Sequence, residues 1–140
     1  MKLSQFIAES GLNPSLIRST VRQCGGWDSF QESAQDVCNH GVSGGFCGFI
    51  YYSETVPFAK RNKKAILEMC KEQAEDYYGK GYSIGQFIAG FSCVDCDAEQ
   101  VAVALYTGKG ENVTEVYNAL AWFALEEVSR RYCDIVETFN

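Results

Sequence analysis

Four groups of side chains have the types and spacing to do chemistry. The first is Cys93-Val94-Asp95-Cys96. Two thiols separated by two residues can hold zinc or cycle between dithiol and disulfide. Zinc would need further ligands, and Cys38, His40 and Cys47 could supply them. The spacing matches no common zinc finger, and no βαβ pattern surrounds the pair to favour redox chemistry. The simpler reading is two small residues in a turn before a helix.

The second group is His40 with Cys47. Nucleophilic catalysis needs a thiol within reach of a base, and a third group to orient the base. His40 is the one histidine in the chain, and its neighbour Asn39 is poorly placed to orient it. The third is the glycine-rich stretch Gly41-Val42-Ser43-Gly44-Gly45-Phe46. Glycines let a backbone approach phosphate closely. No Gly-Lys-Ser/Thr follows, so the phosphate-loop and dinucleotide patterns both fail. These readings leave no complete catalytic set, and the expectation is a protein that is not an enzyme.

The fourth group is acidic. Glu68, Glu72, Glu75 and Asp76 lie close together, and Asp95, Asp97 and Glu99 form a second cluster. A row of carboxylates can occupy a groove built for a nucleic-acid backbone by matching its arginines and lysines. Solvation of the surface is the plainer role for such residues.

These groups need elements to position them. Leu3 to Glu9 can form a short helical turn ending at Gly11. Asn13-Pro14 reads as an N-cap with proline at the first helical position. Leu16, Ile17 and Val21 share one face of the helix that follows, which Gly25-Gly26 stops. Asp28 with Gln31 has the capping-box pattern and predicts a helix over 29–37. Residues 46–52 are aromatic and read as a strand. Thr55 to Tyr78 reads as one helix, capped by Ser53 or Thr55, with Pro57 in its first turn. Ile66, Met69, Cys70, Gln73 and Tyr77 mark its buried face. Ser83 caps a short helix to Phe91. Asp97 with Gln100 opens a helix over 98–106, and Asn112 with Glu115 opens a final one over 113–137. That last helix is about 35 Å long at about 1.5 Å per residue.

The fold class expected is mainly α, a single domain over 1–140, with five to six helices and a minor β element near 46–52. An α+β fold is the alternative. The chain has 140 residues and a net charge of −6. No apolar run approaches the about 20 residues of a membrane span. The N-terminus does not read as a signal peptide, so the expected location is cytoplasmic. Seven cysteines are an odd number, and a disulfide framework is not expected there. Residues 1–64 hold seven basic and five acidic side chains, whereas residues 65–140 hold five and thirteen. The acidic part would repel nucleic acid and attract a basic protein.

Two blocks carry a resemblance. One is Asn39-His40-Gly41 with Gly44-Gly45-Phe46-Cys47-Gly48-Phe49-Ile50-Tyr51-Tyr52-Ser53-Glu54-Thr55. The other is Asn118-Ala119-Leu120-Ala121-Trp122-Phe123-Ala124-Leu125-Glu126-Glu127-Val128. Together they resemble a family of small uncharacterised proteins of bacteriophages and mobile elements. The Gly-Gly-Phe block is also similar to plasmid antirestriction proteins. The resemblance implies a bacterial host, and an inhibitor of host defence of anti-CRISPR or antirestriction type. The expected partner is a defence protein with a basic nucleic-acid-binding surface. Glu68, Glu72, Glu75, Asp76, Asp95, Asp97 and Tyr78 are the candidate contact residues, with Tyr51, Tyr52 and Tyr77 as further aromatic candidates. No direct nucleic acid, membrane or cofactor is expected, and a homodimer is compatible with the chain. The alternative is a small metal-binding regulatory protein in which Cys93 and Cys96 hold zinc, with Cys38 and His40 as further ligands.

Overall fold

Helix signals in the chain are strong, and the computed structural model of the protein, which describes residues 1–40 and 52–139, is mainly α. Among the described residues there are eight helices and no strand. They are α1 (Leu3–Ser10), α2 (Pro14–Gln23), α3 (Trp27–His40), α4 (Tyr52–Arg61), α5 (Lys63–Tyr78), α6 (Ile84–Ala89), α7 (Ala98–Thr107) and α8 (Val113–Phe139).

The count of five to six helices is therefore corrected. Leu3–Ser10 is a helix of its own, ended by Gly11 at φ 72. The helix expected over 55–78 is two, because Asn62 breaks it. The Asn62 backbone leaves the helical region at φ −110 and ψ 14, while its side-chain and backbone amides both donate to the Phe58 carbonyl, at 2.9 and 3.1 Å. α4 starts ahead of both Ser53 and Thr55, so neither caps it, and Pro57 lies inside the helix. Of the expected strand, residues 46–51 lie outside the described residues, while Tyr52 opens α4. The glycine stretch 41–46 and Cys47 also lie outside them.

The chain divides into two compact units, residues 1–54 with 122–140, and residues 55–121. In the first, Asn13 Oδ1 accepts from the Ser15 and Leu16 amides, with Pro14 at the first helical position. Leu16, Ile17 and Val21 are buried, as their spacing predicts, and α2 packs on α3. Phe6, Trp27, Phe30 and Tyr132 form a ring cluster with centroids 5.6–6.0 Å apart. α3 begins at Trp27, with the Phe30 amide donating to the Gly26 carbonyl at 2.9 Å. Asp28 thus sits in the first turn, where it suits the macrodipole, and is not the cap. Gln31 is taken by a tertiary partner, accepting from the Tyr132 hydroxyl at 3.0 Å.

α3 also runs three residues past the expected end. That extra turn carries Cys38 to α8, where it is disulfide-bonded to Cys133 with the Cα atoms 6.9 Å apart. Cys38 Sγ lies 3.6 Å from the Ser129 carbonyl and Cys133 Sγ lies 3.5 Å from the Ala34 carbonyl. Position 34 thus meets 133 while 38 meets 129, so the two helices run antiparallel there. The expectation that the chain carries no disulfide framework is corrected at this pair.

In the second unit, Phe58, Ile66, Cys70, Ile88, Val101, Val116 and Leu120 are buried. α6 packs against α5 and α7. Its approach to α7 requires glycine at 85, where a Cβ would stand 2.8 Å from the Ala98 carbonyl oxygen. Capping boxes open both helices, Ser83 with Gln86 for α6 and Asp97 with Gln100 for α7. Two lysines of this unit, Lys60 and Lys63, have structural roles. The ammonium groups of Lys60 and Lys63 each lie 5.7 Å from the ring centroid of buried Tyr117, and Lys63 donates to the Leu105 carbonyl. No helix among the described residues is long and apolar enough to cross a membrane.

Candidate interaction surface

α5 turns Ile66, Cys70 and Ala74 into the core, one residue in four. Two positions further along each step come Glu68, Glu72 and Asp76. A shift of two residues is more than half a helical turn, so these three carboxylates form an exposed row on the far side. None makes an ion pair with a described residue. The ion pair that is formed among those residues is Glu126 with Arg130, on α8. Like charges at this spacing oppose helix formation by about 0.2–0.5 kcal/mol per pair. Lys64 precedes the row at the same interval. Glu75 is half-buried and lies off it, and its carbonyl accepts the Gly79 amide at 2.9 Å.

Aromatic rings follow the carboxylates. Tyr77 and Tyr78 are 75% and 62% exposed. Tyr77 is a correction, because the 3–4 spacing puts it on the buried face. The inward row ends at Ala74, and α5 stops at Gly79 before anything covers the next turn. Tyr78 stacks on Tyr82 with ring centroids 4.3 Å apart and planes at 21°. Tyr82 is a contributor that sequence reasoning missed, because it lies beyond the end of α5 and helical spacing does not extend to it. Tyr51 and the Tyr52 side chain lie outside the described residues.

The second acidic cluster is used differently. Asp97 Oδ1 accepts the Gln100 amide at 2.8 Å and caps α7. Asp95 is exposed, and its amide donates to the Glu115 carboxylate. Glu115 is thus directed at the 93–96 turn. Burial is the main cause that raises the Cys93 thiol above its ordinary value, with the Glu115 charge adding to it. Cys96 is raised mainly by burial and then by Glu115, which also hydrogen-bonds to it. Both shifts favour the protonated thiol over the thiolate.

Cys38 is bonded to Cys133, so its sulfur is not a thiolate ligand. Cys38 and His40 belong to the first unit, Cys93 and Cys96 to the second. Among the described residues no three His, Cys, Asp or Glu side chains form a metal-binding group. Cys47, the partner considered for His40, lies outside them.

With that geometry in view, comparison with known proteins gives one family match, over residues 14–138, to a domain of unknown function, DUF7222. The chain belongs to the DUF7222 family. α5, the Tyr78–Tyr82 stack and the turn at Asp95 all lie inside the region shared with that family, and α1 lies outside it. No curated protein and no solved structure matches the chain.

Proposed function

We propose that the protein is a non-enzymatic inhibitor that binds a bacterial defence protein acting on nucleic acid, of anti-CRISPR or antirestriction type. The α5 row carries this reading. Glu68, Glu72 and Asp76 repel one another along one helix face and form no ion pair with a described residue, with Lys64 one step before Glu68. A basic partner would supply the missing charge. Guanidinium groups that hold phosphates accept carboxylates in the same way. Tyr77 and the Tyr78–Tyr82 stack stand at the C-terminal end of the row, and exposed tyrosines are frequent anchors at interfaces. Asp95 is a further exposed carboxylate of the same unit, whereas Asp97 is occupied in capping. The defence setting rests on the two sequence blocks that resemble proteins of mobile elements.

The test is paired affinity capture from a bacterial lysate, with the wild-type chain and a Glu72→Lys/Asp76→Lys variant as baits. The expected outcome is a nuclease or restriction subunit that the wild type retains and the variant loses. Equal capture by the folded variant, or no such protein on either bait, would remove this assignment.

A further inference from the structure

α7 is apolar on two opposite sides. Val101, Ala104 and Leu105 are buried. Ala102, Val103 and Tyr106 on the other side are exposed, Tyr106 by 92% and Val103 by 54%. With Glu99 they follow the i, i+3, i+4, i+7 positions of one helix face. A helix on the surface of a soluble protein normally gives that face to polar residues. Here Glu99 is the one charged residue in the ten of α7.

The surface beside this stripe is concave on both flanks. Leu67, Ile84, Gly85, Ala102 and Tyr106 line a depression of about 390 Å³. Across the helix, Glu99, Val103 and Lys109 line another of about 350 Å³. Glu99 and Lys109 form no ion pair with each other.

Charge selects the occupant. α5 of the same unit carries seven charged side chains in sixteen residues, and its acidic row would repel another molecule of net charge −6. α7 presents the apolar stripe with Glu99 in its first turn and Lys109 just past its last, Glu111 lying two residues beyond Lys109 on the same depression. In an antiparallel pair of α7 helices about a two-fold axis, Glu99 of each copy would face Lys109 of the other. A two-fold interface must be self-complementary in this way. We propose that α7 is a self-association face, and that its exposed stripe is covered by α7 of a second copy in antiparallel register. Tyr106 is the central anchor.

Sedimentation velocity over a concentration series tests this on the full chain. The wild type is expected to dimerise reversibly. Tyr106→Lys should weaken the dimer by at least about tenfold, as loss of an interface anchor does. Glu99→Lys and Lys109→Glu should each weaken it, and the two together should restore it, with circular dichroism unchanged throughout. A chain that stays monomeric at every concentration overturns the proposal, including one that binds an unrelated protein through Tyr106. A dimer that is indifferent to Tyr106→Lys, or not restored by the charge swap, overturns it as well.

Discussion

At the scale of single residues, Glu115 ties the start of α8 to the 93–96 turn. Its carboxylate accepts the Asp95 amide and adds to the effect of burial on the Cys93 and Cys96 thiols. A Glu115→Gln variant keeps an oxygen acceptor for the Asp95 amide but removes the charge. We expect alkylation of Cys96 by iodoacetamide to show a midpoint above that of an ordinary cysteine thiol in the wild type and a lower one in Glu115→Gln. Mass spectrometry of the labelled peptide over a pH series would show it, and an unshifted midpoint would contradict the electrostatic role. The sign for stability follows from the raised values. The folded state holds these protons more tightly than the unfolded one, so the contribution is full below the ordinary thiol value and fades as pH rises through the folded one. The Cys-x-x-Cys pair itself was legible in the sequence. Its charged neighbour was not, because Glu115 stands about twenty residues away, in the first turn of α8. Tyr77 escaped for a related reason, since periodicity tells which side faces inward but not where the covering layer ends.

At the scale of elements, local chemistry explains most of what could be read in advance. The Asn13-Pro14 start, the Ser83 cap and the Asp97–Gln100 box all form as their patterns predict. An N-cap uses only neighbours in the chain, so no tertiary knowledge is needed to find it. Asn13→Ala should cost about 1 kcal/mol by removing the acceptor of two orphan amides, measured by urea unfolding. Asp28–Gln31 failed because Gln31 found Tyr132, a residue about a hundred positions away. The break at Asn62 escaped because asparagine inside a helical pattern is only a mild disruptor until its amide meets the Phe58 carbonyl. Gly85 is a sharper test of packing. Gly→Ala inside a helix ordinarily gains up to about 1 kcal/mol. Here the new methyl group meets the Ala98 backbone oxygen at 2.8 Å, and overpacking of that kind costs about 1–3 kcal/mol. Gly85→Ala is therefore expected to lower the unfolding midpoint. A raised midpoint would mean that α6 and α7 separate freely.

At the scale of the whole molecule, the charge asymmetry changes meaning. The split between the first 64 residues and the rest does not follow the compact units. Residues 55–121 contain seven basic and nine acidic side chains, and the remaining residues five and nine. The feature that persists is the unpaired row on α5 and not a uniformly acidic half. The Cys38–Cys133 bond closes a loop of 95 residues. Constraint of the unfolded chain by a loop of that size gives about 4–5 kcal/mol in the chain-entropy model. The oxidised protein should therefore unfold at markedly higher urea than Cys38→Ser/Cys133→Ser. Identical midpoints, or labelling of Cys38 in the unreduced protein, would refute the bond.

The claim that the α5 carboxylates are a binding surface is tested most directly by the affinity of the protein for the partner recovered by capture, measured by calorimetry at low and high salt. For the wild type the account predicts binding that weakens as salt rises, because exposed charge pairs are screened within about 10 Å at 0.1 M. For Glu72→Lys/Asp76→Lys it predicts at least about a tenfold loss at low salt, equivalent to about 1.4 kcal/mol. Equal affinity of the two folded proteins at low salt would contradict it.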